Sequence, residues 1–192
     1  MKKIIATLMI MLCVAGGAMA QEELIDVERQ RAIDSLALEK VRDLSKYIKI
    51  VGSKDTPFSE ANRVIDRAEE LFMSDAEIGV SSIHSNQITF YRVRKYFEHL
   101  MRLNYDRVEI EWYNIEYVSD LQRQPDGTYV GVITIFQTFR GYDAEGNLVY
   151  KDTTKKDITV YVKRKETQIG GRTIGFWDVL LGDMRVKETT DR

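Results

Sequence analysis

Apolar residues follow two different rhythms along this chain. From Glu22 to Val51 there is no Gly or Pro, and Ala37, Val41, Leu44, Ile48 and Val51 recur at spacings of four and three. That stripe predicts an amphipathic helix, and thirty helical residues would reach about 45 Å. It is expected to dock on its own domain or project loosely; pairing with a second copy and tethering are the alternatives. Gly52 is the expected stop, and Gly52–Phe58, with Ser53, Lys54, Asp55, Thr56 and Pro57, predicts a loop. A second helix follows, capped by Thr56 or Ser59 and ending near Ser74-Asp75. Its apolar face is Ala61, Val64, Ile65, Ala68, Leu71 and Phe72. Ile78 and Val80 predict a short strand, with Ile88 and Phe90 as its return. The loop Ser81–Gln87 between them holds His84. A further helix, roughly Arg92–Leu103, turns Val93, Phe97, Leu100 and Met101 inward.

Beyond it the period changes from about 3.6 to two. Arg107–Val118 is rich in Val, Ile, Trp and Tyr, which suit a pleated, half-buried surface. Val108, Ile110 and Trp112 alternate with Glu109 and Glu111, then the phase slips to Tyr113, Ile115 and Tyr117. A slip of one residue turns the apolar set to the other face unless an extra residue is accommodated, so a β-bulge is expected near Trp112–Tyr113. Asp126-Gly127 predicts a hairpin turn into Tyr129–Phe139. Gly141–Asn147 is the next turn. Leu148–Lys163 carries Ile158, Val160 and Val162 in alternation, Gly170-Gly171 is a third turn, and Ile174–Val186 is the last strand. Short turns between successive strands predict an antiparallel meander, and the polar tail Lys187–Arg192 is expected to fray. The fold class is therefore α+β, with helices wrapped by a strongly curved antiparallel sheet made of a short hairpin plus a four-strand meander.

Composition permits a packed core: 192 residues, 44% hydrophobic and 30% charged. Met1–Ala20 has Lys2-Lys3, an apolar run from Ile4 to Val14 and the small-residue ending Ala18-Met19-Ala20, the pattern of a secretory signal peptide cut before Gln21. Cys13 follows Leu12 rather than a small residue, which argues against a lipoprotein signal. The expected division is a signal peptide at 1–20, a helical extension at 21–52, one domain at 53–188 and a tail at 189–192. The mature chain is expected to be exported, periplasmic in a Gram-negative source and secreted otherwise, with no transmembrane segment and no cysteine. The formal net charge is −2, and losing Lys2 and Lys3 leaves −4, so nothing electrostatic points to nucleic acid.

The run Ala-Glu-Glu-Leu-Phe-Met-Ser-Asp-Ala-Glu-Ile, Ala68 to Ile78, resembles the helix-to-strand corner of the nuclear transport factor 2-like (cystatin-like cone) superfamily. Val-Arg-Lys-Tyr-Phe, Val93 to Phe97, resembles its next helix. The resemblance covers about Phe58–Glu188 and leaves Glu22–Val51 outside. It implies a conical core. It also implies relatives of two sorts: isomerase- and dehydratase-like enzymes with acid–base groups at the open end of the cone, and modules that only bind.

No catalytic motif of those enzymes matches residue by residue, so no catalytic residue is assigned. The pocket candidates are Asp178, His84, Arg140, Trp112 and Trp177. Asp178 shares a strand face with Ile174, Phe176 and Leu180, and a carboxyl in apolar surroundings has a raised pKa suited to proton transfer. The alternative is a carboxylate paired with a cation. His84 sits in a loop near the expected mouth, while His99 reads as a surface helix residue. Arg140 follows Thr134, Phe136 and Thr138 on one strand face, where it can meet an anion, Glu111 or Asp178. The two tryptophans suit a core as well as a ligand platform. Two distant histidines make no metal signature, and no cofactor motif is present. The sequence supports first an exported, non-catalytic binding module of the envelope, with a homodimer or an envelope protein as partner. The alternative is a carrier or isomerase/dehydratase-like enzyme that holds a small apolar ligand in the cone. That alternative takes Asp178 or His84 as its acid–base group and predicts an open apolar pocket lined by Asp178. Asp178 on the outer face, or a cone packed solid, counts against it, and a cavity on the concave face separates a binding or catalytic cone from a filled one.

Overall fold

A computed structural model describes residues 25–117 and 119–191. The leader, Cys13 and the expected cleavage site lie outside the described residues. The first helix, α1 (Val27–Gly52), starts at Asp26, whose carboxylate accepts from the Arg29 backbone N–H at 2.8 Å. Its stripe of Ile33, Ala37, Val41, Leu44, Ile48 and Val51 is buried in the same core cluster as the sheet. The extension is thus docked on the rest of the fold. Helix α2 (Phe58–Glu69) follows the Pro57 turn and ends before the expected Ser74. Lys54 Nζ, in the loop between them, donates to the carbonyls of Met101 and Leu103, which ties this corner to the end of α3 (Val93–Met101).

The strands are β1 (Glu77–Ser82), β2 (Ser85–Arg92), β3 (Arg107–Tyr117), β4 (Gln122–Arg123), β5 (Tyr129–Tyr142), β6 (Leu148–Ile169) and β7 (Arg172–Thr190). Their order in one sheet is β2-β1-β7-β6-β5-β3, with β4 on β5. β3 through β7 form the expected antiparallel meander. The hairpin β1–β2 joins it through a parallel contact of β1 with β7, so the sheet is mixed. Glu77 N–H donates to Asp183 Oδ1 at 3.0 Å across that junction. Leu181 exchanges backbone hydrogen bonds with Leu71 and Met73, which anchors the end of α2 beside β7.

The bulge in β3 lies two residues beyond the expected place. The register with β5 shifts between Tyr113 and Glu116, and Asn114 carries φ 48°. Asn tolerates this left-handed conformation better than a branched residue. Ile110 and Trp112 face the core before the bulge, and Ile115 packs against the core after it. The last two strands are longer than the pattern suggested. The tail is also not frayed as expected: Thr189 and Thr190 pair with Thr154 and Thr153. The β6–β7 hairpin turns at Gly170 and Gly171, φ 56° and 78°, the two left-handed positions of a type I′ turn.

Candidate functional site

Strand β6 places the site. Ile158, Val160 and Val162 point into the core and are fully buried. The same parity runs backwards through Lys156, Thr154, Asp152 and Tyr150. A strand alternates faces strictly, so these polar side chains also point inward. Asp152 is 5% exposed, Thr154 2% and Lys156 3%. On β5, Gln137 continues the inward row of Ile133 and Ile135 in the same way, at 7%. The concave face therefore changes from apolar at one end to polar at the other, and a cavity of about 300 Å³ opens over the polar end.

Helix α3 covers it with Tyr96, His99 and Leu100, and Val80 and Ser82 of β1 form its edge. One wall is aromatic. Tyr105, Phe139 and Tyr150 meet pairwise, with ring centroids 5.7 to 6.3 Å apart. Tyr105 lies on the backbone of Gly141, where an added Cβ would come within 2.5 Å of its ring. Only glycine permits that approach.

The polar end is organised around Asp152. Its Oδ2 accepts from the Tyr150 phenol at 2.6 Å. The phenol has one proton, so the Ser82 hydroxyl at 3.1 Å and the Ile83 N–H at 3.3 Å act as donors to the phenol oxygen. Asp152 Oδ1 is buried and has no hydrogen-bond partner among the described residues. Desolvation raises the Asp152 carboxyl above its ordinary value, against the Tyr150 hydrogen bond and the Lys156 charge. Burial pushes the Lys156 ammonium down to about 8, partly opposed by Asp152. Tyr150 is raised by burial and by its bond to Asp152, and Tyr96 is raised by burial. The cavity thus combines a carboxyl that holds its proton more tightly than usual with an amine that gives its proton up more easily.

The candidates from the sequence are distributed around the molecule. His84, exposed in the β1–β2 turn, lines the mouth and meets the Tyr150 ring edge-on at 5.7 Å. His99 lines it as well, stacked on Tyr91 at 5.3 Å. Trp112 lies beside the cavity and donates from Nε1 to Gln137 Oε1 at 3.1 Å. Trp177 packs far along the sheet, edge-on to Tyr129. Arg140 points away from the cone and pairs with Glu111 at 2.9 Å. Asp178 also lies outside the cavity. It alternates with buried Val179 and pairs with Lys165 at 2.5 Å, beside a separate groove that includes Tyr161 and Leu180. Its apolar companions Ile174 and Phe176 are 44% and 43% exposed, so the face that suggested a pocket is the outer one. The inward carboxyl is Asp152, which the sequence reading missed. The signal was there, because Asp152, Thr154 and Lys156 share the parity of Ile158, Val160 and Val162.

No described group of His, Cys, Asp and Glu side chains has the arrangement of a metal site. Among the described residues no helix is long and apolar enough to cross a membrane.

Three helices against one curved, mixed sheet, with a cavity on the face they cover, define an α+β fold with a small-molecule-sized chamber. Two solved structures are similar to this chain. One is a protein of Novosphingobium aromaticivorans named after scytalone dehydratase: 13% identical, TM-score 0.44, covering 86% of this chain and 91% of that one. The other is a type 2 hexachlorocyclohexane dehydrochlorinase: 16% identical, TM-score 0.39, covering 83% and 91%. No protein-family model and no curated sequence matches the chain. The chemistry of the cavity is therefore read from its own residues.

Proposed function

We propose that this protein is an acid–base enzyme acting on a small, largely apolar molecule held in the cone, in the manner of an isomerase or lyase. One observation carries the reading: Asp152 is buried at the wall of a cavity, its Oδ2 is fixed by Tyr150, and its Oδ1 has no partner among the described residues. An unpaired buried carboxylate oxygen is costly, and such groups recur where a ligand completes the site. In the reaction Asp152 takes a proton from a carbon of the bound molecule, and the Tyr150 phenol, by donating to Oδ2, fixes the orientation of the carboxylate. The aromatic wall of Tyr105 and Phe139 suits a flat or cyclic substrate. The open cavity supports a small-molecule site over a cone filled by its own side chains.

Hydrogen–deuterium exchange tests it. Cyclohexanone and acetophenone in deuterated buffer should lose their α-proton signals faster with the protein than with buffer alone. Asp152→Asn should slow the exchange about 10²-fold or more while the thermal melt stays cooperative. Equal exchange by the variant, or none above buffer by the wild type, would overturn the proposal.

A further inference from the structure

Lys156 has no part in that scheme. It is 3% exposed, it lines the cavity, and it shares the inward face of β6 with Asp152 and Thr154. A surface lysine keeps its ammonium in water. This one has been taken out of water and placed in a chamber with a carboxyl, a phenol and an apolar wall. A lysine that only filled space would be replaced by an apolar side chain at no loss, because burying a charge is costly.

We infer that Lys156 is a nucleophilic amine and that the cavity takes carbonyl compounds, which it binds covalently as an imine. This rests on the reading of the cone as a small-molecule site and narrows the substrate to aldehydes and ketones. The lowered pKa of the amine leaves a usable neutral fraction near pH 7. In the first step the Lys156 nitrogen lone pair forms a bond to the carbonyl carbon, and the C=O π electrons move to oxygen. A proton passes from nitrogen to that oxygen and gives a carbinolamine. In the second step the Asp152 carboxyl, which has taken up the proton that the Lys156 ammonium gave up before its attack, passes that proton to the hydroxyl group, the C–O bond breaks, and water leaves. The nitrogen lone pair forms the C=N bond, so a cationic iminium faces a newly formed Asp152 carboxylate. No oxidant or reductant is consumed. The iminium withdraws electrons from the neighbouring carbon, and its C–H proton then becomes accessible to the same carboxylate. Tyr150 holds that carboxylate in place, while Tyr96 and His99 from α3, Tyr105 from the aromatic wall and His84 from the β1–β2 turn are the other titratable groups facing the chamber.

Trapping tests the inference. The full-length mature protein is mixed at pH 7 with limiting benzaldehyde and sodium cyanoborohydride, which reduces an imine to a stable secondary amine. Peptide mass mapping should find the benzyl adduct on Lys156 ahead of the exposed lysines. Lys156→Met and Lys156→Arg should lose that adduct and keep the surface ones, with circular dichroism confirming that both variants fold. Adducts on exposed lysines alone would overturn the inference. The two proposals separate cleanly. Asp152-dependent exchange that persists in Lys156→Met, with no Lys156 adduct, removes the imine and leaves the acid–base reading. A Lys156 adduct without Asp152-dependent exchange removes the acid–base reading and keeps the reactive amine. Neither signal overturns both.

Discussion

At the scale of single residues, the cavity is an exception made to the core. Asp152 and Lys156 occupy positions that Ile or Val would fill with better stability, and their ionisation is therefore linked to folding with opposite signs. The Lys156 ammonium is held near 8 in the folded protein, against an ordinary 10.5. Above 10.5 both states are neutral and the burial costs nothing; as pH falls through that window, the unfolded chain takes up the proton first. Stability is thus lost as pH falls from about 10.5 to about 8, by on the order of 3 kcal/mol. Asp152 runs the other way. Its folded value is raised, so stability falls as pH rises from the ordinary 3.8 through the folded value. The expected outcome for Lys156→Met is a higher melting temperature than wild type at pH 7, with the difference shrinking between pH 8 and 10.5. Parallel melting curves for the two proteins across that range would show that the amine is not depressed.

At the scale of elements, two local irregularities shape the site. The Asn114 bulge lets one strand keep Ile110 and Trp112 inward on one side of it and Ile115 against the core on the other. Gly141 lets the Tyr105 ring lie flat on β5, where it meets Phe139 and Tyr150. Gly141→Ala must push that ring away. The contact is with a whole aromatic face rather than the far end of a flexible chain, so the cost is about 1–3 kcal/mol. The aromatic wall shifts with it, and the exchange reaction should slow. A variant that melts like wild type and turns over normally would show that Tyr105 has room to move. The alternation within β3, β5 and β6 was legible in the sequence. The site was less so, because a strand pattern gives two faces and does not say which is inner. In β7 both faces are apolar, and the choice of Ile174, Phe176 and Leu180 led to Asp178. The other face, with Trp177, Val179 and Leu181, is the one that packs on the core.

At the scale of the whole molecule, α1 is part of the core rather than an appendage to it. The stripe of Leu44 and its neighbours is fully buried against the other helices and the sheet. Leu44→Ala should destabilise by about 2–5 kcal/mol, read as a shift of the denaturant midpoint. A loss below about 0.5 kcal/mol, the usual range for a surface substitution, would mean that the helix is an appendage. The periodicity of Glu22–Val51 identified this helix and its buried face, although the corner resemblance began only at Phe58. What the helix packs against was not readable, since a stripe of period 3.6 fits a neighbouring sheet, a second copy or another protein equally well.

The sequence by itself determined the main elements, their order and the hairpin turns, though not the short β4, the end of α2 or the full length of β6 and β7, because the former follow from local periodicity and from residues such as Asp126-Gly127 and Gly170-Gly171. It also determined the α+β class, because the change of rhythm after the third helix leaves few ways to cover one curved sheet. Only the tertiary structure decided which strand face is concave, that β1 lies parallel to β7, and that the polar end of β6 borders an open cavity. The physical reason is that burial is a property of what lies opposite a side chain. Lys151 to Lys156 is a polar run in the sequence, and it becomes a buried carboxyl and a buried amine only when α3 closes over it.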